Sequence, residues 1–161
     1  MRKALFAGSF DPIHVGHVEI VRRAVPIFDE VLVAIGVHPS KKSTFSLEDR
    51  REMLARSLGD LKNVSVHHYE GLTVEFARKH GAQFLLRGLR AGEDIDYERN
   101  VDLINQRLGS ELETVFLLSD HQLRHVSSTL IRQVMMYGGD LRGLIPEGAL
   151  PVIERYHNAS L

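Results

Sequence analysis

At 161 residues, with 25% charged side chains and a net charge of −1, the chain is sized for one ordinary domain spanning 1–161. It carries no global field that would draw it to nucleic acid, so any anion site must be local. The absence of cysteine excludes a disulfide framework, a thiol nucleophile and a Cys-based zinc site, and fits a reducing compartment.

The first run, MRKALFAGSF, is apolar at once and too short for a signal peptide. No stretch nears the ~20 apolar residues that a membrane span needs, so a cytoplasmic chain without membrane contact is expected. RKALFAG (2–8) reads as a buried strand, and residues 15–28 repeat apolar side chains at helical spacing. EVLVAIGV (30–37) is a second strand. SLEDRREMLARSLG (46–59) is a helix with Ser46 as its N-cap and Gly59 after its end. NVSVHHY (63–69) alternates as a strand does, and LTVEFARKHG (72–81) is a short helix with a glycine stop. QFLLRG (83–88) makes a fourth strand, and residues 93–108 a long helix ending at Gly109. ELETVFLLS (111–119) makes a fifth strand, followed by a helix over 128–139 and a last one over 147–157.

Alternating strands and helices predict an α/β fold: a Rossmann-like, doubly wound sheet of five parallel strands with helices on both faces. Right-handed crossovers leave 3-2-1-4-5 as the expected strand order. In that order strands 1 and 4 are neighbours, and ligands bind in the crevice at their carboxyl ends. GSFDPIHVGH follows strand 1, HPSKKS strand 2, RGLR strand 4 and SDHQLRHVSST strand 5. Four polar segments far apart in sequence are thus expected to meet in one cleft.

In the first segment Gly16 removes a side chain where a helix begins, which would let a phosphate approach backbone N–H groups. His14 and His17, three apart, project to one side of that turn, and Ser9 adds a hydroxyl at the strand end. A helix start with two incidental histidines would look the same in isolation; its place at a strand end favours the anion site. No third ligand is spaced for a two-histidine metal centre. Lys41 and Lys42 lie on a loop, where lysines are usually only solvated, yet either could neutralise a phosphate. Arg87 ends an apolar strand, a costly place for a guanidinium unless an anion or a carboxylate awaits it. The carboxylate reading points to Asp94 or Glu98 on the next helix. Ser127, Ser128 and Thr129 precede a helix; capping explains one hydroxyl, and three suggest a second phosphate-binding terminus. Such a cationic, donor-rich set, without a Ser-His-Asp arrangement, suits phosphoryl or nucleotidyl transfer by positioning and charge stabilisation.

GSFDPIHVGH, PSKKSTFSLEDR, LLRGLRAGEDIDYE and VSSTLIR, in that order and spacing, resemble the HxGH nucleotidylyltransferase superfamily. Over nearly the whole chain the likeness fits its bacterial pantetheine-phosphate adenylyltransferase family closely. The resemblance implies conversion of ATP and 4′-phosphopantetheine to dephospho-coenzyme A and pyrophosphate, with Mg²⁺ and a homohexamer. It implies a catalytic set of His17, Lys41 and Arg90, with His17 stabilising charge at the ATP α-phosphate. Ser9 and Lys41 would hold the acceptor phosphate with help from Arg87, while Leu72, Thr73 and Asn105 would line the pantetheine arm's pocket. ATP would contact Ser9, Phe10, His17, Gly88, Leu89, Arg90, Glu98, Leu123, Arg124, His125, Val126, Ser127, Ser128 and Thr129. No protein metal ligands are expected. The chain departs from that family at His14, where threonine is usual, at Ser9 for threonine, and at Leu123 where an aromatic is frequent. An adenylyltransferase acting on nicotinate mononucleotide, and a nucleotide sensor without chemistry, are the rival readings.

Overall fold

The computed structural model describes residues 1–40, 42–90, 92–108 and 111–159. Five strands alternate with helices: β1 (Lys3–Gly8), α1 (Val15–Ala24), β2 (Glu30–Val37), α2 (Leu47–Leu58), β3 (Val64–Glu70), α3 (Thr73–His80) and β4 (Phe84–Leu89) come first. They are followed by α4 (Gly92–Arg107), β5 (Glu113–Leu118), α5 (Ser128–Met136) and α6 (Leu150–Ala159). The sheet has the order β3-β2-β1-β4-β5, and every pairing is parallel, as expected from the alternation.

The two central strands are apolar without interruption because both of their faces are covered. Their side chains alternate between two cores. Ala4, Phe6, Val31, Val33 and Leu86 pack with Ile20, Met53, Leu54, Ile131 and Val152, from α1, α2, α5 and α6. Leu5, Ala7, Leu32, Ala34 and Leu85 pack on the other face with Val74 and Ala77 of α3.

Several element ends differ from expectation, each for a local reason. The first helix was expected to reach residue 28 and stops at Ala24. Pro26 has no N–H to continue the ladder, and the amides of Ile27 and Phe28 both turn back to the Ala24 carbonyl, at 2.9 and 3.0 Å. The helix expected over 128–139 ends at Met136, where the chain turns through Gly138 at φ 67°. The final helix was expected to start at 147; residues Glu147–Ala149 instead form a 3₁₀ turn that leads into α6.

β1 and β4 are hydrogen-bonded neighbours from which the chain runs off in opposite directions, so a crevice opens above their carboxyl ends. Gly88 keeps β4 close to α1 there: a Cβ on it would lie 3.1 Å from Cγ1 of Ile20.

Candidate active site

Above β1 and β4 lies an open cleft of about 450 Å³. It is lined by Ser9, Phe10, His14 and His17 from the first corner, and by Lys42, Ser43 and Thr44 from the β2–α2 segment. Arg87, Gly88 and Arg90 come from the end of β4, and Leu123, Val126, Ser127, Ser128 and Thr129 from the approach to α5. The four polar segments predicted to converge do so.

The first corner is stiffer than its sequence suggested. His14 is the N-cap of α1, and the two histidines form a reciprocal capping box. The His17 amide donates to His14 Nδ1 at 3.3 Å, and the His14 amide donates to His17 Nδ1 at 3.2 Å. Each Nδ1 therefore presents its lone pair, and in the neutral ring the proton sits on Nε2. The rings stack with centroids 3.5 Å apart and planes 21° apart, a contact that two imidazolium ions would not tolerate. Burial holds the pKa of His14 down at about 4, with Arg90 contributing. Burial, His14, Arg90 and Arg87 hold His17 well below its ordinary value. Both histidines are thus neutral Nε2–H donors at physiological pH.

Phe10 completes the clamp. Its backbone is held at φ 44°, a left-handed conformation that costs an L residue on the order of 1 kcal/mol. The cost is offset by burial of its ring, only 1% exposed, which meets the His17 ring edge-on at 4.9 Å. Gly16, which lines the cleft, also serves the cap. A Cβ there would come within 3.1 Å of His14 Nδ1, so the glycine admits the histidine ring. Of the first amides of α1, that of Val15 donates to the Leu144 carbonyl and that of His17 to His14.

A stability prediction follows from the histidine pair. An unfolded histidine titrates near 6.5, whereas folded His14 does so at about 4. Between those values the unfolded chain binds a proton that the folded chain refuses, so stability is full above pH 6.5 and falls as pH drops toward 4. At 1.36 kcal/mol per pH unit, His14 removes about 3 kcal/mol across that window, and His17 acts in the same direction. Urea midpoints at pH 7 and pH 4.5 are expected to separate clearly in the native chain and less in His14→Thr, where only the His17 share remains. An equal gap in both proteins would contradict the assignment.

Arg87 realises the carboxylate reading. Its Nε and Nη2 donate to the two carboxylate oxygens of Glu98 at 2.7 and 2.6 Å, and its Nη1 donates to the Ala7 carbonyl at 3.1 Å. Glu98, 9% exposed, spends both of its oxygens on that guanidinium, which thereby faces the cleft with its remaining N–H donors. Asp94, the alternative partner, has its side chain outside the described residues.

The three hydroxyls before α5 divide their work. Ser127 caps the helix by accepting from the Leu130 amide at 3.2 Å, which leaves its own O–H to donate. Ser128 donates to the Pro12 carbonyl at 2.8 Å, and Thr129 accepts from Arg132 Nη2 at 3.2 Å.

Several expected residues stand elsewhere. Lys41 lies outside the described residues. Arg124 and His125 are exposed and do not line the cleft, and Leu89 is buried beneath it. Thr73 and Asn105 line a second cavity of about 210 Å³ together with Tyr69, Leu85 and Val101. It shares Ala7, Gly8 and Arg87 with the cleft. Leu72 caps α3 beside that cavity without lining it and is 46% exposed.

The structure also adds residues to the cleft that sequence reasoning passed over. Arg132 lines it and donates to the Asp11 carbonyl at 2.6 Å. Helical spacing could have found it, since it sits one turn after Ser128 and Thr129. Ser119 lines it at the end of β5, and Asp11, read only as a turn residue, lines it as the one carboxylate among the described residues. Both Asp11 oxygens accept backbone amides. Among the described residues no group of three or more His, Asp or Glu side chains is placed to hold a metal ion.

A cytidylyltransferase-like family model matches residues 5–134. Phosphopantetheine adenylyltransferase from Flavobacterium psychrophilum is 47% identical over 147 residues, covering 91% of this chain and 97% of that one. The enzyme of the same name from Finegoldia magna is 44% identical over 156 residues, covering 97% and 96%, and that from Brucella anthropi 44% over 151 residues, covering 91% and 92%.

Proposed function

The chain belongs to the cytidylyltransferase-like family and to its phosphopantetheine adenylyltransferases, and we propose from that membership that it transfers the adenylyl group of ATP to 4′-phosphopantetheine. The products are dephospho-coenzyme A and pyrophosphate, in coenzyme A biosynthesis. The observation that carries the choice of acceptor is the pair of cavities joined at Ala7, Gly8 and Arg87. A phosphate seated at Arg87 would send its attached arm into the half-apolar cavity of Tyr69, Thr73, Leu85, Val101 and Asn105, while the triphosphate fills the cationic cleft.

The step is an in-line displacement. An oxygen of the acceptor phosphate attacks the α-phosphorus, the bond to the bridging oxygen of the β-phosphate breaks, and pyrophosphate leaves with the electron pair. No enzyme nucleophile is needed. Neutral His17 donates from Nε2 to a non-bridging α-oxygen as negative charge builds, aimed by the Nδ1 capping bond and the ring contacts with His14 and Phe10. Arg90 faces the leaving pyrophosphate, and Ser127, Ser128 and Thr129 lie at the α5 terminus where a polyphosphate meets helix N–H groups. Ser9, Lys41, Lys42 and Arg87 hold the acceptor phosphate. Phe10, Leu123 and Val126 supply apolar wall, and Gly88, with Leu89 behind it, lets ATP pass close to the β4 backbone. Arg124 and His125 would reach ATP from the exposed side of the same loop. Glu98 acts through Arg87, and Leu72 flanks the arm cavity.

Mg²⁺ belongs to the same reading and would enter on the triphosphate, where it neutralises charge. A homohexamer is also part of it. Ile95, Leu103 and Ile104 on α4 and Phe116 and Leu118 on edge strand β5 leave a large apolar surface uncovered in one copy, which supports burial between subunits. A cytoplasmic location accords with use of ATP.

The test offers ATP and Mg²⁺ with 4′-phosphopantetheine or nicotinate mononucleotide, and measures pyrophosphate release. Fast turnover is expected only with phosphopantetheine. Preference for nicotinate mononucleotide would overturn the acceptor, and no turnover with either would revive a nucleotide sensor.

A further inference from the structure

Asp11 is buried, 7% exposed, at the edge of the cleft, and its carboxylate reaches across to a segment more than thirty residues away. Oδ2 accepts the Thr44 amide and Oδ1 the Phe45 amide, each at 2.8 Å. Two consecutive backbone donors on one carboxylate make a two-point, charge-assisted clasp. It is reinforced on both sides. Arg50 of α2, itself buried, donates from Nη1 to the Ser9 carbonyl at 3.0 Å, and the Phe45 ring, 1% exposed, packs in the core. From α5, Arg132 donates to the Asp11 carbonyl at 2.6 Å and Ser128 to the Pro12 carbonyl at 2.8 Å.

The clasp matters because of what precedes it. Lys42, Ser43 and Thr44 line the cleft, and Lys41 is next to them in sequence. A lysine is a point charge on a flexible stem, so its place is set by its backbone. Phe45 and the Ser46 cap of α2 anchor the segment on one side only. We propose that Asp11 is a positioning residue: its carboxylate docks the 42–45 backbone on the first corner and so brings the loop lysines to the acceptor phosphate. Acting through the lysines, it governs acceptor binding and not the ATP end of the cleft.

This inference rests on the adenylyltransferase reading, and the experiment separates the two. Asp11→Asn keeps the shape but turns one acceptor into an N–H₂ group facing an amide donor, which breaks one bond of the clasp. The native enzyme, Asp11→Asn, Lys41→Ala/Lys42→Ala and the combined variant are assayed with ATP and phosphopantetheine. Asp11→Asn is expected to raise the KM for phosphopantetheine roughly tenfold or more, with the KM for ATP within about twofold. In the combined variant it should add nearly nothing to the double-lysine loss, because the lysines it positions are gone. Full multiplication of the two effects, or an equal rise in both KM values, would overturn the proposal, since a merely structural carboxylate acts independently of the lysines. If Asp11→Asn does not fold, amide hydrogen exchange of the native protein decides: slow exchange at Thr44 and Phe45 supports the clasp, and exchange at the open-chain rate sinks it. A native enzyme inactive on phosphopantetheine would instead strike at the proposed function.

Discussion

Replacing His17 with alanine is expected to lower kcat by about 10²–10³ and to change the KM for ATP by less than about threefold. The reason is the timing of the contact. In the ground state the α-phosphate is already solvated and paired with cations, and a neutral imidazole N–H contributes little. As the fifth oxygen approaches, charge builds on the non-bridging oxygens, and a donor already aimed at them needs no reorganisation. The capping bonds to His14 and the edge contact with Phe10 supply that aim. Because the pKa of His17 lies well below its ordinary value, its proton inventory does not change near pH 6.5. The kcat profile should therefore show no limb at 6.5 that vanishes in His17→Ala. Such a limb would mean that His17 works by gaining and losing a proton, and wild-type turnover in the variant would remove it from catalysis altogether.

Replacing Arg87 with alanine is expected to act twice. The KM for phosphopantetheine should rise by about 10², because a forked donor between the cleft and the arm cavity is lost. Stability should fall by about 2–4 kcal/mol, because Glu98 keeps a buried carboxylate whose two oxygens lose their guanidinium. Arg87→Lys keeps the charge but cannot span both Glu98 oxygens and the Ala7 carbonyl, so it should recover only part of either loss. Thermal melts and initial rates on the three proteins check this. An unchanged acceptor KM in a folded Arg87→Ala would show that Arg87 serves only Glu98.

Much of the molecule was legible in its order of residues. The period of the apolar side chains separates the strands KALFAG and EVLVAIGV from the helices between them. The alternation alone then leads to the β3-β2-β1-β4-β5 sheet, because parallel strands need crossovers and crossovers have one hand. That in turn brings GSFDPIHVGH, RGLR and SST to one rim, since all follow strands at the same end. Arg87's partner was legible in part, as a choice between Asp94 and Glu98 set by helical spacing.

What local pattern could not reach were contacts between segments distant in sequence and assignments that depend on an exact atom. Helical spacing puts His14 and His17 on one side of a turn, but only the fold shows their Nδ1 atoms bonded to each other's amides, and hence which ring nitrogen carries the proton. The glycine between them was legible as a small residue; that it makes room for a histidine ring follows only from the 3.1 Å its Cβ would leave. Asp11 before Pro12 reads as a turn, and nothing near it in the chain announces that its oxygens meet the amides of Thr44 and Phe45. Periodicity is a property of a chain's own backbone and survives in the string of letters. Where a side chain lands across the fold depends on how helices of given lengths pack on a twisted sheet, and that is settled only when all of them are in place.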